Sequence, residues 1–169
     1  MLNESSTIAA ISTAKGVGGI GVVRVSGKRA LEIAKNICKA DLSPRKVEFT
    51  SFKDKKNVTL DQGIVIYFPS PSSFTGEDIV EFQGHGGVIV LNLILNACLS
   101  FGAILAEPGE FTKRAFLNNK LDLSQAESVA DLINASTEAA AKSAINSLRG
   151  AFSNKINNLL KNLIELRIF

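Results

Sequence analysis

The sequence is poor in the residues that most often announce chemistry. It holds one histidine and two cysteines in 169 residues. Cys38 and Cys98 stand far apart on expected apolar helix faces, with no CxxC or Cys/His spacing. Zinc is therefore not indicated, and small buried hydrophobes is the reading that free cysteines favour. No apolar run reaches the ~18 residues of a membrane span. The longest, residues 88–99, is broken by Asn92 and Asn96. No GxSxG elbow is present to carry a serine nucleophile. A P-loop is missing too. Gly27-Lys28 resembles the end of one, but the pattern needs glycine where Val22 stands and Ser or Thr where Arg29 stands. Gly16, Gly18 and Gly21 satisfy the dinucleotide spacing, yet Val22-Val23-Arg24-Val25 follows as strand where that fingerprint needs a helix. A tight turn fits better. Met1-Leu2-Asn3-Glu4-Ser5-Ser6 has no basic n-region, so no signal peptide is expected and the cytoplasm is the default.

What is present is globular composition, with 46% hydrophobic and 21% charged residues. Residues 121–169 balance five Lys/Arg with five Asp/Glu, so the net charge of +3 lies in residues 1–120. That suits an anionic ligand but falls well short of a nucleic-acid stripe.

The first two thirds mix strand and helix signals. Strands are expected over 7–12, 20–26, 47–52, 63–68, 79–83 and 104–106, where β-branched and aromatic residues alternate between turns. Ala30, Leu31, Ile33, Ala34, Ile37 and Cys38 recur at helical spacing, and 86–101 reads as a buried helix. Pro69-Ser70-Pro71-Ser72-Ser73 is a loop, since proline fixes φ and cannot donate to a ladder. After Glu110 the character is helical throughout. Ser124 with Glu127 makes a capping-box pattern. From Ser136, the series Ala140, Ala144, Leu148, Phe152, Ile156, Leu159, Leu160 and Leu163 predicts one long amphipathic helix.

Several residues stand out within these elements. Arg24 interrupts an apolar strand between Val23 and Val25, as a pocket wall or an exposed strand arginine. Glu77, Asp78 and Glu81 follow the Pro/Ser loop. In a strand over 79–83, Glu81 shares a face with Ile79 and Gln83. A solvated acidic loop is the plain alternative, and the spacing matches no metal-ligand loop. His85 sits at a strand-to-helix junction, where a structural or ligand-shaping role fits better than acid/base chemistry. Lys120 follows the Asn118-Asn119 helix end, at the junction between the two parts, where a surface lysine is the usual reading.

Four stretches taken together resemble one family. They are residues 18–27 (GGIGVVRVSG), 73–87 (SFTGEDIVEFQGHGG), 108–127 (PGEFTKRAFLNNKLDLSQAE) and 146–152 (NSLRGAF). In order and spacing they look like the MnmE (TrmE) family of tRNA-modification GTPases, nearly end to end. The resemblance implies an α+β fold. A mixed β-sheet with flanking helices over 1–118 would bind folate and form a homodimer, and long α-helices of a truncated helical domain would follow over 119–169. It further implies 5-formyltetrahydrofolate as one-carbon donor. The family's potassium-dependent GTPase domain, with its GTP and Mg, would lie outside this chain. The family's partners are the MnmG flavoprotein and tRNA, whose wobble uridine is modified at C5. The positions matching the family's folate contacts are Arg24, Glu81 and Lys120. A carboxylate such as Glu81 accepts the paired N–H donors of a pterin edge, and Arg24 or Lys120 suits the anionic glutamate tail. Facing the formyl or pterin oxygen is an equal alternative for Arg24. A non-catalytic tRNA- or protein-docking scaffold is the alternative reading, and GTP hydrolysis by this chain is not expected.

Overall fold

The β-branched runs do form strands. In the computed structural model, which describes residues 6–167, two units separate at Phe111/Thr112. The first contains β1 (Ile8–Ile11), β2 (Gly18–Ser26), α1 (Ala30–Cys38), β3 (Val47–Lys53), β4 (Thr59–Phe68), β5 (Ile79–Gly86), α2 (Val88–Ser100) and β6 (Ile104–Leu105). Its six strands form one mixed sheet in the order β3-β4-β5-β2-β1-β6. All neighbours are antiparallel except β1 and β6, which run parallel.

Side-chain alternation divides this sheet into two unlike faces. One face presents Val23 and Val25 from β2, Val65 and Tyr67 from β4, Val80 and Phe82 from β5, and Phe52 from β3. Ile33 and Ile37 of α1 and Leu91, Ile94 and Leu95 of α2 pack into the same cluster. Phe52 and Phe82 meet edge to face at 5.3 Å, a geometry that adds to the area they bury. Cys38 and Cys98 lie in this core. Burial pushes the Cys38 thiol up to about 12 and the Cys98 thiol higher still, so both are inert hydrophobes.

The opposite face carries Val22, Arg24, Ser26, Ile79, Glu81, Gln83, Ile64 and Ile66, most of them partly buried. Toward the β3 edge it is bare, with Phe49 74% exposed. Near β2 and β5, the loop over 69–78 is tied down on it. Ser26 Oγ donates to Glu77 Oε2 at 2.7 Å and bonds Thr75 Oγ1 at 2.7 Å. Asp78 Oδ1 accepts from the Tyr67 hydroxyl and the Ser70 N–H. Burial and that carboxylate together raise the Tyr67 phenol above its ordinary value.

Beyond the sheet, α3 (Glu110–Leu117) leads into the second unit, with α4 (Leu123–Asn134), α5 (Glu138–Leu148) and α6 (Ala151–Arg167). Two expectations are corrected here. The capping box is Asp122 with Gln125, not Ser124 with Glu127. Asp122 accepts from the Gln125 N–H at 2.8 Å, and Gln125 Oε1 accepts from the Asp122 N–H at 2.9 Å. The single long helix is two helices. Gly150 takes φ +85, a conformation that ends α5 and that a side chain would resist. Gln125 Nε2 donates to Leu148 O, and Ser153 Oγ donates to Asp122 Oδ2, so one cap residue pair ties α4 to the helices on both sides of the break.

The α+β class and the mixed sheet followed by helices are as the resemblance implied.

Candidate ligand site on the sheet face

Strand register creates the site. Arg24 of β2 lies directly across from Glu81 of β5, and Glu81 lies across from Ile66 of β4. The two charged residues thus occupy the middle of the six-stranded sheet, on the face away from α1 and α2. Glu81 is not an acid on a solvated loop. Its side chain is 16% exposed and that of Arg24 27%. Arg24 Nε and Nη2 donate to Glu81 Oε1 at 2.9 and 2.7 Å. Both bonds end on one oxygen, and Oε2 takes neither of them.

Two aromatic rings stand beside the pair. The Arg24 guanidinium carbon lies 5.6 Å from the Phe74 ring centroid and 5.7 Å from that of Phe111. These distances are within cation–π range and hold the guanidinium in a fixed place. Phe74 comes from the tethered 69–78 loop and Phe111 from the first turn of α3. The result is a charged floor with apolar, flat sides. Both phenylalanines fall within the family motifs, where the sequence alone assigns them no role. Nothing in a loop residue or a helix-start residue indicates that it stands beside a charged pair on distant strands.

His85 and Asp61 form a second polar group on this unit. The His85 backbone N–H donates to Asp61 Oδ2 at 2.8 Å, and its ring Nδ1 is 2.7 Å from Asp61 Oδ1. Asp61 was not singled out from the sequence. Burial works to raise its carboxyl, but the backbone N–H of His85, the imidazole and the Gln62 N–H outweigh that and hold it below the ordinary value.

Lys120 belongs to the second unit. It follows the left-handed Asn119 (φ 55), and its backbone N–H donates to Ala115 O at 2.8 Å. Together with Phe116, Leu117, Asn119, Leu121, Asp122 and Gln125 it lines a shallow hollow of about 550 Å³. Among the described residues no group of three or more His, Cys, Asp or Glu could hold a metal ion. No described helix is long and apolar enough to cross a membrane.

Comparison with known proteins agrees with the motifs. The family model described as GTP-binding protein TrmE N-terminus matches residues 7–120, and the MnmE helical domain model matches residues 123–169. A tRNA modification GTPase MnmE from Nitrosospira multiformis is 56% identical over 167 residues, covering 99% of this chain and 37% of its own length. Its counterpart from Ectopseudomonas mendocina is 53% identical over 169 residues, all of this chain and again 37% of the relative. One from Neisseria meningitidis is 52% identical over 168 residues, covering 99% of this chain and 38% of the relative. The chain therefore spans little more than a third of the length of these relatives. Since the two models account for nearly every residue, the chain belongs to the MnmE (TrmE) family of tRNA modification GTPases, matching its N-terminal and helical-domain sequence.

Proposed function

We propose that this chain binds a reduced folate, 5-formyltetrahydrofolate, on the sheet face that carries Arg24 and Glu81 and pairs with a second copy of itself, as part of a protein that modifies tRNA. The observation that carries the reading is the Arg24–Glu81 pair between Phe74 and Phe111. A pterin is flat and presents adjacent N–H donors. Glu81 Oε2 accepts from that edge while Oε1 keeps Arg24, and the phenylalanine rings cover the apolar surface of the ligand. Arg24 suits a pterin or formyl oxygen or the anionic glutamate tail, and Lys120, which matches a folate contact of the family, suits that tail equally by its charge.

In this reading residues 1–118 are the folate-binding and dimer-forming domain, and 119–169 begin a helical domain. The wider activity follows the relatives, which are tRNA modification GTPases. The bound one-carbon unit goes to C5 of a wobble uridine in the cytoplasm, with the MnmG flavoprotein as partner. GTP, Mg and K belong in this reading to the GTPase activity for which the full-length relatives are named.

A docking scaffold is the second reading. What favours it is α6, on which Phe152, Ile156, Leu159, Leu160, Leu163 and Ile164 are all exposed. Calorimetric titration with 5-formyltetrahydrofolate separates the two. Saturable binding at one site per chain supports the folate reading, and absence of heat under conditions where the chain is folded leaves only the scaffold.

A further inference from the structure

The small net charge conceals a concentration. Residues 28–56 carry nine Lys/Arg and four Asp/Glu, so this stretch alone is +5 and the rest of the chain −2. Its four acids are already engaged. Glu32 pairs with Arg29 at 2.9 Å, Asp41 with Lys35 at 2.7 Å and Glu48 with Lys46 at 3.2 Å. Asp54 turns back into its own hairpin, where Oδ1 accepts the N–H of Lys56 at 2.9 Å and that of Val58 at 2.8 Å. That carboxylate shapes the β3–β4 turn instead of pairing with the lysines beside it.

Part of the uncompensated charge is gathered at one corner of the first unit. Lys39 ends α1 in a left-handed conformation (φ 54), and Lys55 stands on the β3–β4 turn. Their ammonium groups lie 5.9 and 5.6 Å from the ring centroid of Phe101, the residue that ends α2. Three elements distant in sequence thus bring two like charges to one ring. Phe101 packs against the core, while Lys39, Lys55 and Lys56 are exposed. Among the described residues neither Lys39 nor Lys55 has a carboxylate partner. A ring attracts a cation without neutralising it. Two ammonium groups held near each other with no anion repel, and an arriving anion relieves that repulsion.

The kind of charge indicates the partner. Lysines on a helix end and a turn are point charges on flexible stems, not the planar forks that select one carboxylate or phosphate. Lysine is depleted in protein–protein interfaces, whereas a chain of phosphates gains from each lysine it meets by releasing counterions. The relatives are tRNA modification GTPases, so RNA is the polyanion at hand. We propose that the corner formed by Lys39, Lys55 and Lys56 around Phe101 binds the phosphate backbone of RNA, as a docking contact separate from the Arg24–Glu81 pair. It rests on the tRNA part of the proposed function and not on the folate part.

The test is fluorescence anisotropy with an unmodified tRNA transcript over a range of salt. Lys39→Asn suits the left-handed position and Lys55→Gln lies on an exposed turn, so the double variant should unfold at the parent's denaturant midpoint. Its tRNA affinity should fall roughly tenfold at about 0.1 M salt, and the slope of log K against log salt should shrink by about one for each lysine. Lys15→Gln with Lys142→Gln removes the same charge elsewhere and should keep most of the parent's affinity. Titration with 5-formyltetrahydrofolate should be the same in all three. Parental affinity and salt slope in the Lys39/Lys55 variant overturn the proposal, and so does an equal loss in the Lys15/Lys142 variant. Tighter binding of a polyglutamate peptide than of tRNA also overturns it and assigns the corner to an acidic protein. A parent chain that takes up folate but no tRNA overturns it and leaves the folate reading standing.

Discussion

Replacing Glu81 by alanine removes the acceptor of two hydrogen bonds from Arg24 and the acceptor offered to a pterin edge, and these losses appear in different measurements. In the free chain the change leaves a guanidinium, 27% exposed, with its two aromatic neighbours and no carboxylate. Charge-assisted hydrogen bonds are worth about 1.5–3 kcal/mol where water is excluded. Water reaches part of Arg24, so the expected loss of unfolding free energy is about 1–2 kcal/mol. Ligand binding loses more. Each pterin donor left unpaired costs about 1–3 kcal/mol, which weakens binding by roughly tenfold to several-hundredfold. Glu81→Gln separates the two effects. Its amide oxygen still accepts from Arg24, so denaturant unfolding should return most of the way to the parent value. Its NH₂ replaces the second acceptor with a donor, so calorimetric titration with 5-formyltetrahydrofolate should show affinity nearly as poor as for alanine. Parental affinity in Glu81→Gln would refute the assignment of that carboxylate to the pterin.

Three further outcomes are expected. GTP turnover by the pure chain should stay at blank, because no loop here combines P-loop amides with its lysine; measured hydrolysis above blank counters this. Light scattering at tens of micromolar should give a dimer mass, with Val47 and Phe49 on the bare part of the sheet face available for contact; a monomer mass counts against self-association. The Asp61 carboxyl is lowered on folding, so its contribution is fully present above the ordinary aspartate range, about 4, and is lost as pH falls below it. Asp61→Asn should therefore cost stability at neutral pH and shrink the difference from the parent in acid; a difference that does not vary with pH would sink the argument.

Much of the fold was legible because alternation and helical spacing are local properties. β2, α1, β3 and α2 lie close to where their apolar patterns put them. The sequence pattern gives the fourth strand as 63–68, whereas β4 begins at Thr59 and runs through Gly63. Gly63 suits the close approach of β5, because a Cβ there would come within 2.2 Å of Gln83 O. The helix start was misplaced for another local reason. Asp122-x-x-Gln125 and Ser124-x-x-Glu127 are overlapping capping patterns, and hydrogen bonding in the folded chain selects the earlier one. Apolar spacing of three and four runs straight through Gly150, so periodicity hides a break that backbone conformation makes plain. Of the site, the faces could be read and the pairing could not. Nothing in either segment states that residue 24 of one strand meets residue 81 of another. That register is a long-range property of the sheet.

The pairing itself bears on function through its cost. A position in the middle of a sheet, flanked by Ala10 on β1 and Ile66 on β4, is one where two apolar residues would pack without losing hydration. Bringing a guanidinium and a carboxylate there costs desolvation on both sides, and the gain from their attraction only offsets it. The two bonds to a single oxygen make this plainer, since a bidentate arrangement would use both oxygens and hold better. As a stabilising device the arrangement is poor. As a receptor it is well organised. Arg24 orients Glu81, the Phe74 and Phe111 rings keep Arg24 in place, and one carboxylate oxygen remains for a donor arriving from outside. An interaction that stabilises the fold little while leaving one oriented carboxylate oxygen beside two aromatic rings is explained more economically by a ligand than by stability.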